Sequence, residues 1–502
     1  METGTTQVEI GKNEYWWGGA AGLGPGMPWG AREVRCDLRG DNHGNQASPL
    51  LLSTRGRAVW SHEPFAFAFE SGVLQIDGAA VVHENGGGLA GAFRAASSRY
   101  FPASGTMPPE IFFSAPQYNT WIELLYEQEQ GRILDYARAI LDNGFPPGVL
   151  MIDDGWQRDI GEWSFAPERF PDPAGLVGEL HQLGFRVMLW IVPLVSPDSA
   201  VYRSLATAGA LLAGAGGKPV VREWWNGQSA VLDLNGPAGC RWFQVELARL
   251  RSVFGVDGFK FDGGDCYLYR EDDEPGLSPN ERCRAYAQIG EGYPFNEFRA
   301  CWKMGGRPLV QRQHDKLHSW GKDGLAALIP TCLAQGLIGH AFNCPDMIGG
   351  GDIKSFAGGS PLLDQELVVR YAQCAALMPM MQFSVAPWRI LDGEHLAACR
   401  ETVALRKKFT PEILGLASHA ALTGEPIVRP LTYEFPEGGF EAVTDQFLLG
   451  RSILVAPVLE KGARSRSVRF PAGTWRDLNG RDYHGEAVVD APIPHLPVFL
   501  LQ

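Results

Sequence analysis

The chain has 502 residues, too many for one hydrophobic core, so roughly two to four domains are expected. Its formal net charge of −13 argues against nucleic acid as a partner, which would demand clustered Lys and Arg. Abundant Gly and Pro, moderate charge and 15 Trp are a common texture of carbohydrate-active enzymes.

Nine cysteines, an odd count, show neither C-x-x-C nor zinc spacing. Cys332, Cys344 and Cys374 lie in apolar runs and read as small core residues, which favours a reducing compartment. The start, METGTTQVEIGKNEYWW, has no basic segment followed by an apolar one, and no window reaches membrane-spanning length. A soluble, cytoplasmic protein without membrane contact is the expectation, with homo-oligomerisation left open.

Residues 1–115 carry short alternating runs broken by glycine, such as PFAFAFESGVLQIDGAAVVHENGG, with no long helical period. They read as an antiparallel β-sandwich, in which Trp16, Trp17 and Trp29 are core or reach the site. From about 116 the period switches. A helix is expected at Gln130–Asn143, with Ile133, Leu134, Ala137, Ile140 and Leu141 on one face, then a strand at Gly148–Ile152. A helix near Pro173–Leu183, a strand at Arg186–Val192 and a long helix at Cys240–Val253 follow. Further strands fall at Gly255–Asp262, Pro308–Gln311, Gly339–Asn343 and Pro379–Phe383, with helices at Leu325–Gln335 and Asp364–Ala376. This alternation over residues 116–409 points to a (β/α)₈ TIM barrel. A doubly wound sheet is the alternative, but its G-x-G-x-x-G turn is matched only by Gly86–Gly91, in the β zone. Residues 410–502 return to β texture and read as a second β-sandwich.

The polar groups fall at barrel strand ends, where such a fold keeps its chemistry. VLMIDD ends in Asp153 and Asp154, VMLWIVP carries Trp190, suited to stacking on a sugar face, PLVQRQHD carries Arg312, and HAFNCPD ends in Asp346. In GVDGFKFDGGDC, alternation puts Lys260 on the same face as Asp262, and a cation there keeps a carboxylate ionised, as a nucleophile requires. Acids, aromatics and an Arg on one rim suit a polyhydroxylated ligand. Hydrolysing a glycosidic bond needs a second carboxyl as acid, and Asp315, Asp323, Asp346 and Asp352 are candidates. Asp323 precedes an apolar helix, so an N-cap is the bland alternative, while Trp320 could raise its pKa. His314, His318 and His340 have no metal-ligand spacing, and no cofactor is implied.

GVLMIDDGWQ, WWNGQSAVLDLNGP with GVDGFKFDGGD, WGKDGLAALIPTCLAQGLIGHAFNCPDMIGGG, and PIVRPLTYEF with DQFLLGRSILVAPVLEKGA occur in the order found in glycoside hydrolase family 31, which the chain resembles from about Pro116 to its end. Within that family it is most similar to an α-galactosidase-like branch. The resemblance implies a retaining, exo-acting α-glycosidase with Asp262 as nucleophile and Asp323 as general acid/base. It also implies Asp153, Asp154, Trp190, Lys260, Arg312 and Asp346 as sugar contacts, with an oligosaccharide or glycoside as partner. Gly263-Gly264-Asp265 stands where many α-glucosidases of the family have Met-Asn-Glu, and MPMMQFSVAPW lacks their Arg-x-His. An α-galactoside is therefore the expected substrate, ahead of α-glucosidase, sulfoquinovosidase or transglycosidase activity. A non-catalytic carbohydrate-binding protein is the alternative from another class.

Overall fold

The computed structural model describes residues 4–30, 32–214, 216–273 and 277–502. Its centre is a ring of eight short parallel strands: β1 (Gln117–Asn119), β2 (Val149–Ile152), β3 (Arg186–Ile191), β4 (Gly258–Phe261), β5 (Phe295–Phe298), β6 (Gln311–Arg312), β7 (Asn343–Cys344) and β8 (Gln382–Phe383). Each pairs with its neighbour in chain order, and β8 pairs back with β1. Across the remaining seam, between β7 and β8, the Ile348 N–H donates to the Gln382 carbonyl at 2.8 Å. The ring is a nearly closed TIM barrel, flanked by sheet domains on both sides.

The strands are buried on both faces and read as apolar runs, as parallel strands covered by helices should. The helix at Gln130–Asp142 buries Ile133, Leu134, Ala137 and Ile140 against them, the face that the sequence period marks. Pro237–Phe254 ends at Gly255, whose φ of +78° gives the left-handed turn that feeds β4. Gly258 then lets β4 and β5 approach, since a Cβ there would collide with the Phe295 carbonyl.

The N-terminal zone holds two antiparallel sheets. One orders Thr5–Glu9, Val73–Asp77, Ala66–Glu70 and Val34–Asp37, and the other is built around Gln46–Ser53. They share a core in which Trp16, Trp17 and Trp29 are all buried. This zone is not all β, because GGGLAG leads into a helix at Gly88–Tyr100. That helix buries Leu89, Ala92, Phe93 and Ala96, and the Gly, Ala and Ser around them leave only two bulky apolar residues to mark the period. The barrel returns a strand to this domain, since Cys301–Trp302 pairs with Gln46–Ala47.

The return to β texture comes after Thr423 rather than near 410. A single helix runs from Gly393 to Thr423 and contains Pro411, which removes one N–H donor without ending the helix. Beyond it a six-stranded sheet from Val428 to Leu501 surrounds Leu448, Leu454, Trp475 and Phe499. No helix among the described residues is long and apolar enough to cross a membrane.

Arg406, buried on the Gly393–Thr423 helix, joins that helix to the barrel. It donates to the carbonyls of Ala376 (2.9 Å), Met378 (2.8 Å), Phe113 (2.6 Å) and Pro379 (2.6 Å). Arg406→Leu strands these carbonyls and is expected to destabilise the protein by about 3 kcal/mol, read as a lowered thermal unfolding midpoint.

Candidate active site

The strand register sets the floor of the site. Trp190 on β3, Lys260 on β4 and Glu297 on β5 are direct partners in adjacent strands, so they form one inward layer. Two residues further on, alternation brings Asp262 and Arg299 to the same face, one layer nearer the mouth.

Asp262 follows β4, and its amide continues the ladder to the Ile191 carbonyl at 2.9 Å. The Trp190 indole N–H donates to Oδ2 at 2.8 Å, and Lys260 Nζ stands 3.6 Å from the same oxygen. The Gly263 amide at 2.9 Å and Arg299 Nε at 3.2 Å donate to Oδ1. Burial by itself would raise the Asp262 pKa, but Lys260, Arg299, Arg312 and the Trp190 N–H outweigh it and hold the carboxyl well below the usual carboxylate range. The Gly263-Gly264 turn is required as glycine, because a Cβ on Gly264 would enter the Tyr286 ring. That ring's hydroxyl in turn donates to the Asp262 carbonyl at 3.0 Å.

Lys260 Nζ also donates to Asp153 Oδ2 at 2.7 Å. Burial would lower the Lys260 pKa, and Asp153 and Asp262 together reverse this and keep it charged. Asp154, beside Asp153, accepts from Asn226 Nδ2 at 2.9 Å. Burial and then the neighbouring Asp153 push its pKa up to about 7. Arg312 lies fully inside the barrel and donates to Asp346 at 2.6 Å and Asp315 at 2.8 Å.

These groups open into a cavity of about 330 Å³, with Asp153, Asp154, Trp190, Lys260, Asp262 and Arg312 in its walls. Trp121, Trp225, Arg299 and Asp315 also line it, with Met347, Gly351 and Ile353. The volume lies near the lower limit, about 300 Å³, of pockets that enclose a small ligand. Trp190 lines the cavity with its ring beside that of Trp224 and its N–H directed to Asp262. Trp225, half exposed, offers an open aromatic face and lies over the Arg299 guanidinium at 5.0 Å. Asp346 is fully buried and not in the cavity wall, with one oxygen accepting from Arg312 and the other from the Lys316 amide. Asp323 is exposed on the loop after β6 and outside the cavity wall, accepting a hydrogen bond from Ser319 Oγ. It caps nothing, because the 3₁₀ turn at Leu325–Ala327 has no side-chain cap. Asp352 does cap, accepting from the Lys354 amide.

Arg299, Trp225 and Asn226 escaped the sequence reading. Glu297 and Arg299 repeat the two-residue spacing of Lys260 and Asp262, a signal hidden because FNEFRACW is too short and polar to announce a strand. The N-terminal domain fixes this rim. Asn45 and Gln46 donate to the carbonyls of both Arg299 and Arg312, and Asn42 bonds Asp265 and the Cys266 amide.

Glu297 sits beneath the cavity, accepting from Gln382 Nε2 at 2.7 Å, with Oε1 3.6 Å from Arg312 Nε. Burial pushes its pKa up to about 7, against the pull of Arg312 and Lys260. Between the ordinary Glu value of 4.5 and about 7 the unfolded chain gives up this proton while the folded one keeps it. Glu297 therefore costs stability as pH rises through that window, and the cost levels off above it. Glu297→Gln is expected to gain stability relative to the parent from pH 4.5 to 7, seen in paired thermal unfolding curves.

Residues 105–416 match the glycosyl hydrolases family 31 TIM-barrel domain, and residues 424–502 match the family 31 C-terminal domain. The chain is 35% identical over 393 residues to the myogenesis-regulating glycosidase of Mus musculus, covering 76% of this chain and 55% of that protein. It is 27% identical over 388 residues to a 1,3-alpha-isomaltosidase of Kribbella flavida, covering 69% and 52%. The chain thus spans about half the length of these curated relatives. A solved structure of a family 31 dextranase of Flavobacterium johnsoniae, complexed with glucose, superposes with a TM-score of 0.85 at 22% identity. That superposition covers 99% of this chain and 66% of the dextranase, and it shows the shared fold. With both domain models matched in order across the barrel and the sheet domain after it, the chain belongs to glycoside hydrolase family 31.

Proposed function

We propose that the protein is a retaining, exo-acting α-glycosidase that removes a terminal α-linked sugar, with an α-galactoside as substrate. The observation that carries this reading is Asp262, a buried carboxylate held ionised by two cations and two N–H donors at the base of a one-ring cavity. Such a group is a nucleophile rather than an acid. Asp262 attacks the anomeric carbon as the glycosidic bond breaks, and Asp323 gives its proton to the departing oxygen. Asp323, now ionised, takes a proton from water, whose oxygen displaces Asp262 and releases the sugar with its configuration retained.

Asp315 is nearer the cavity than Asp323, but its 2.8 Å bond to Arg312 favours the ionised form and makes it a poor proton donor. Asp323 has only the Ser319 hydroxyl. For the sugar, the rim after the nucleophile supports the reading. Gly263 and Gly264 carry no side chain, and Asp265 turns away to Arg299 and Asn42, so none of the three lines the cavity. The positions at which many family α-glucosidases place Met-Asn-Glu thus offer no contact here. Among the relatives is a sulfoquinovosidase of Escherichia coli, and a sulfonate would need an uncommitted cation. Among the described residues the wall holds three cations, Lys260, Arg299 and Arg312, and all are committed to carboxylates, which disfavours an anionic sugar.

Aryl α-glycosides of galactose, glucose, xylose, N-acetylgalactosamine and sulfoquinovose test the reading. Release is expected from the galactoside, falling by about 10³-fold or more in Asp262→Asn. Asp323→Ala is expected to lose about 10²–10⁴-fold and to recover partly with azide, which needs no base. Asp315→Asn should show no azide rescue. Silence across the panel, with sugars still binding, would make the protein a carbohydrate-binding member of its family.

A further inference from the structure

A second cavity, of about 350 Å³, lies behind Asp154. Asp154 belongs to the walls of both cavities, and the adjacent residues Trp225 and Asn226 at the hairpin tip line one cavity each. Trp225 faces the catalytic cavity, while Asn226 reaches over to bond Asp154 from the other. The order of strands fixes the side on which this second cavity lies. Asp154 follows β2, two strands from the nucleophile strand β4 in one direction, and the loop carrying Asp323 follows β6, two strands away in the other. With the leaving group departing past Asp323, the second cavity lies on the glycone side.

Its walls are built for a ligand. Gln157 is 4% exposed, and neither its Oε1 nor its Nε2 has a hydrogen-bond partner. Its backbone is nevertheless fixed, bridged to Phe165 and accepting from Arg169 Nη2 at 2.9 Å. A buried amide held in place with both ends unmet is a group waiting for a donor and an acceptor, which one sugar hydroxyl supplies together. Ser196 and Ser229 add hydroxyls, and Tyr126, 55% exposed, adds an aromatic surface. The cations are already engaged. Arg169 bonds the carbonyls of Gly155 and Gln157, and Arg158 pairs with Glu168 at 3.3 Å. With Asp154 and Asp159 also in the wall, an anion is disfavoured and a neutral hydroxylated ring fits.

We propose that this cavity is a second carbohydrate subsite, holding an uncharged sugar ring joined to the sugar in the catalytic cavity on the side away from the leaving group. Resting on the exo-acting α-glycosidase reading, it makes the unit released from the chain end a disaccharide. The near-equal volumes of the two cavities give each room for one ring.

Calorimetry on Asp262→Asn with galactose, glucose and their disaccharides tests the subsite without turnover. At least one disaccharide is expected to bind about fivefold or more tighter than its monosaccharide. Gln157→Leu and Gln228→Trp, each added to Asp262→Asn, are expected to abolish that ratio. Gln228 lies at an exposed strand position of the same wall, so its variant keeps the test decisive if Gln157→Leu does not fold. No disaccharide advantage, or an advantage that survives both substitutions, overturns the subsite. A ratio that behaves as expected, in a protein whose parent cleaves neither the aryl monoglycosides nor the aryl α-glycoside of the disaccharide that binds, sinks the catalytic reading and leaves the subsite standing. Cleavage without the ratio does the reverse.

Discussion

An ammonium group inside a barrel is tolerable only if carboxylates surround it, and Lys260 has two. Its charge holds Asp262 ionised, and Asp153 and Asp262 together hold it protonated, so Lys260 cannot be neutralised without leaving the buried Asp262 carboxylate unmatched. Arg312 is likewise set between Asp315 and Asp346, while Glu297 beneath it keeps its proton up to about pH 7 because burial outweighs the pull of the cation. The site is thus a lattice of alternating charges with most hydrogen-bonding positions filled from behind. What faces the cavity is the remainder, the free edges of carboxylates and the side of a guanidinium, which are the groups that hold sugar hydroxyls.

Such a lattice needs a rigid frame, and three parts of the chain supply it. The barrel gives the register that aligns Trp190, Lys260 and Glu297. The N-terminal domain clamps the ends of β5 and β6 through Asn45 and Gln46, so it belongs to the site's scaffold rather than to a detachable module. The C-terminal sheet domain is reached through the Gly393–Thr423 helix, which Arg406 fastens to the barrel. The Trp225-Asn226 hairpin tip, by contrast, is tied to the floor by side-chain contacts at Asp154 and Arg299.

The amino-acid sequence alone determined the barrel, because strands buried on both faces and helices with one apolar face leave strong local patterns, as in VLMIDD and Gln130–Asp142. It also determined which strand ends carry Asp153, Asp154, Asp262 and Arg312, since a polar residue closing an apolar run is a local signal. Only the tertiary structure decided which of these meet. Arg299 reaches Asp262 because β4 and β5 pair in one particular register, and no local pattern encodes a register between strands 37 residues apart. Trp190 meets Asp262 as a donor for the same reason, with Trp224 from a separate hairpin beside its ring. Asp346 is not in the cavity wall, and its two oxygens accept from Arg312 and the Lys316 amide. A chain writes its secondary structure in near neighbours, but a site is made of residues that are neighbours only after folding.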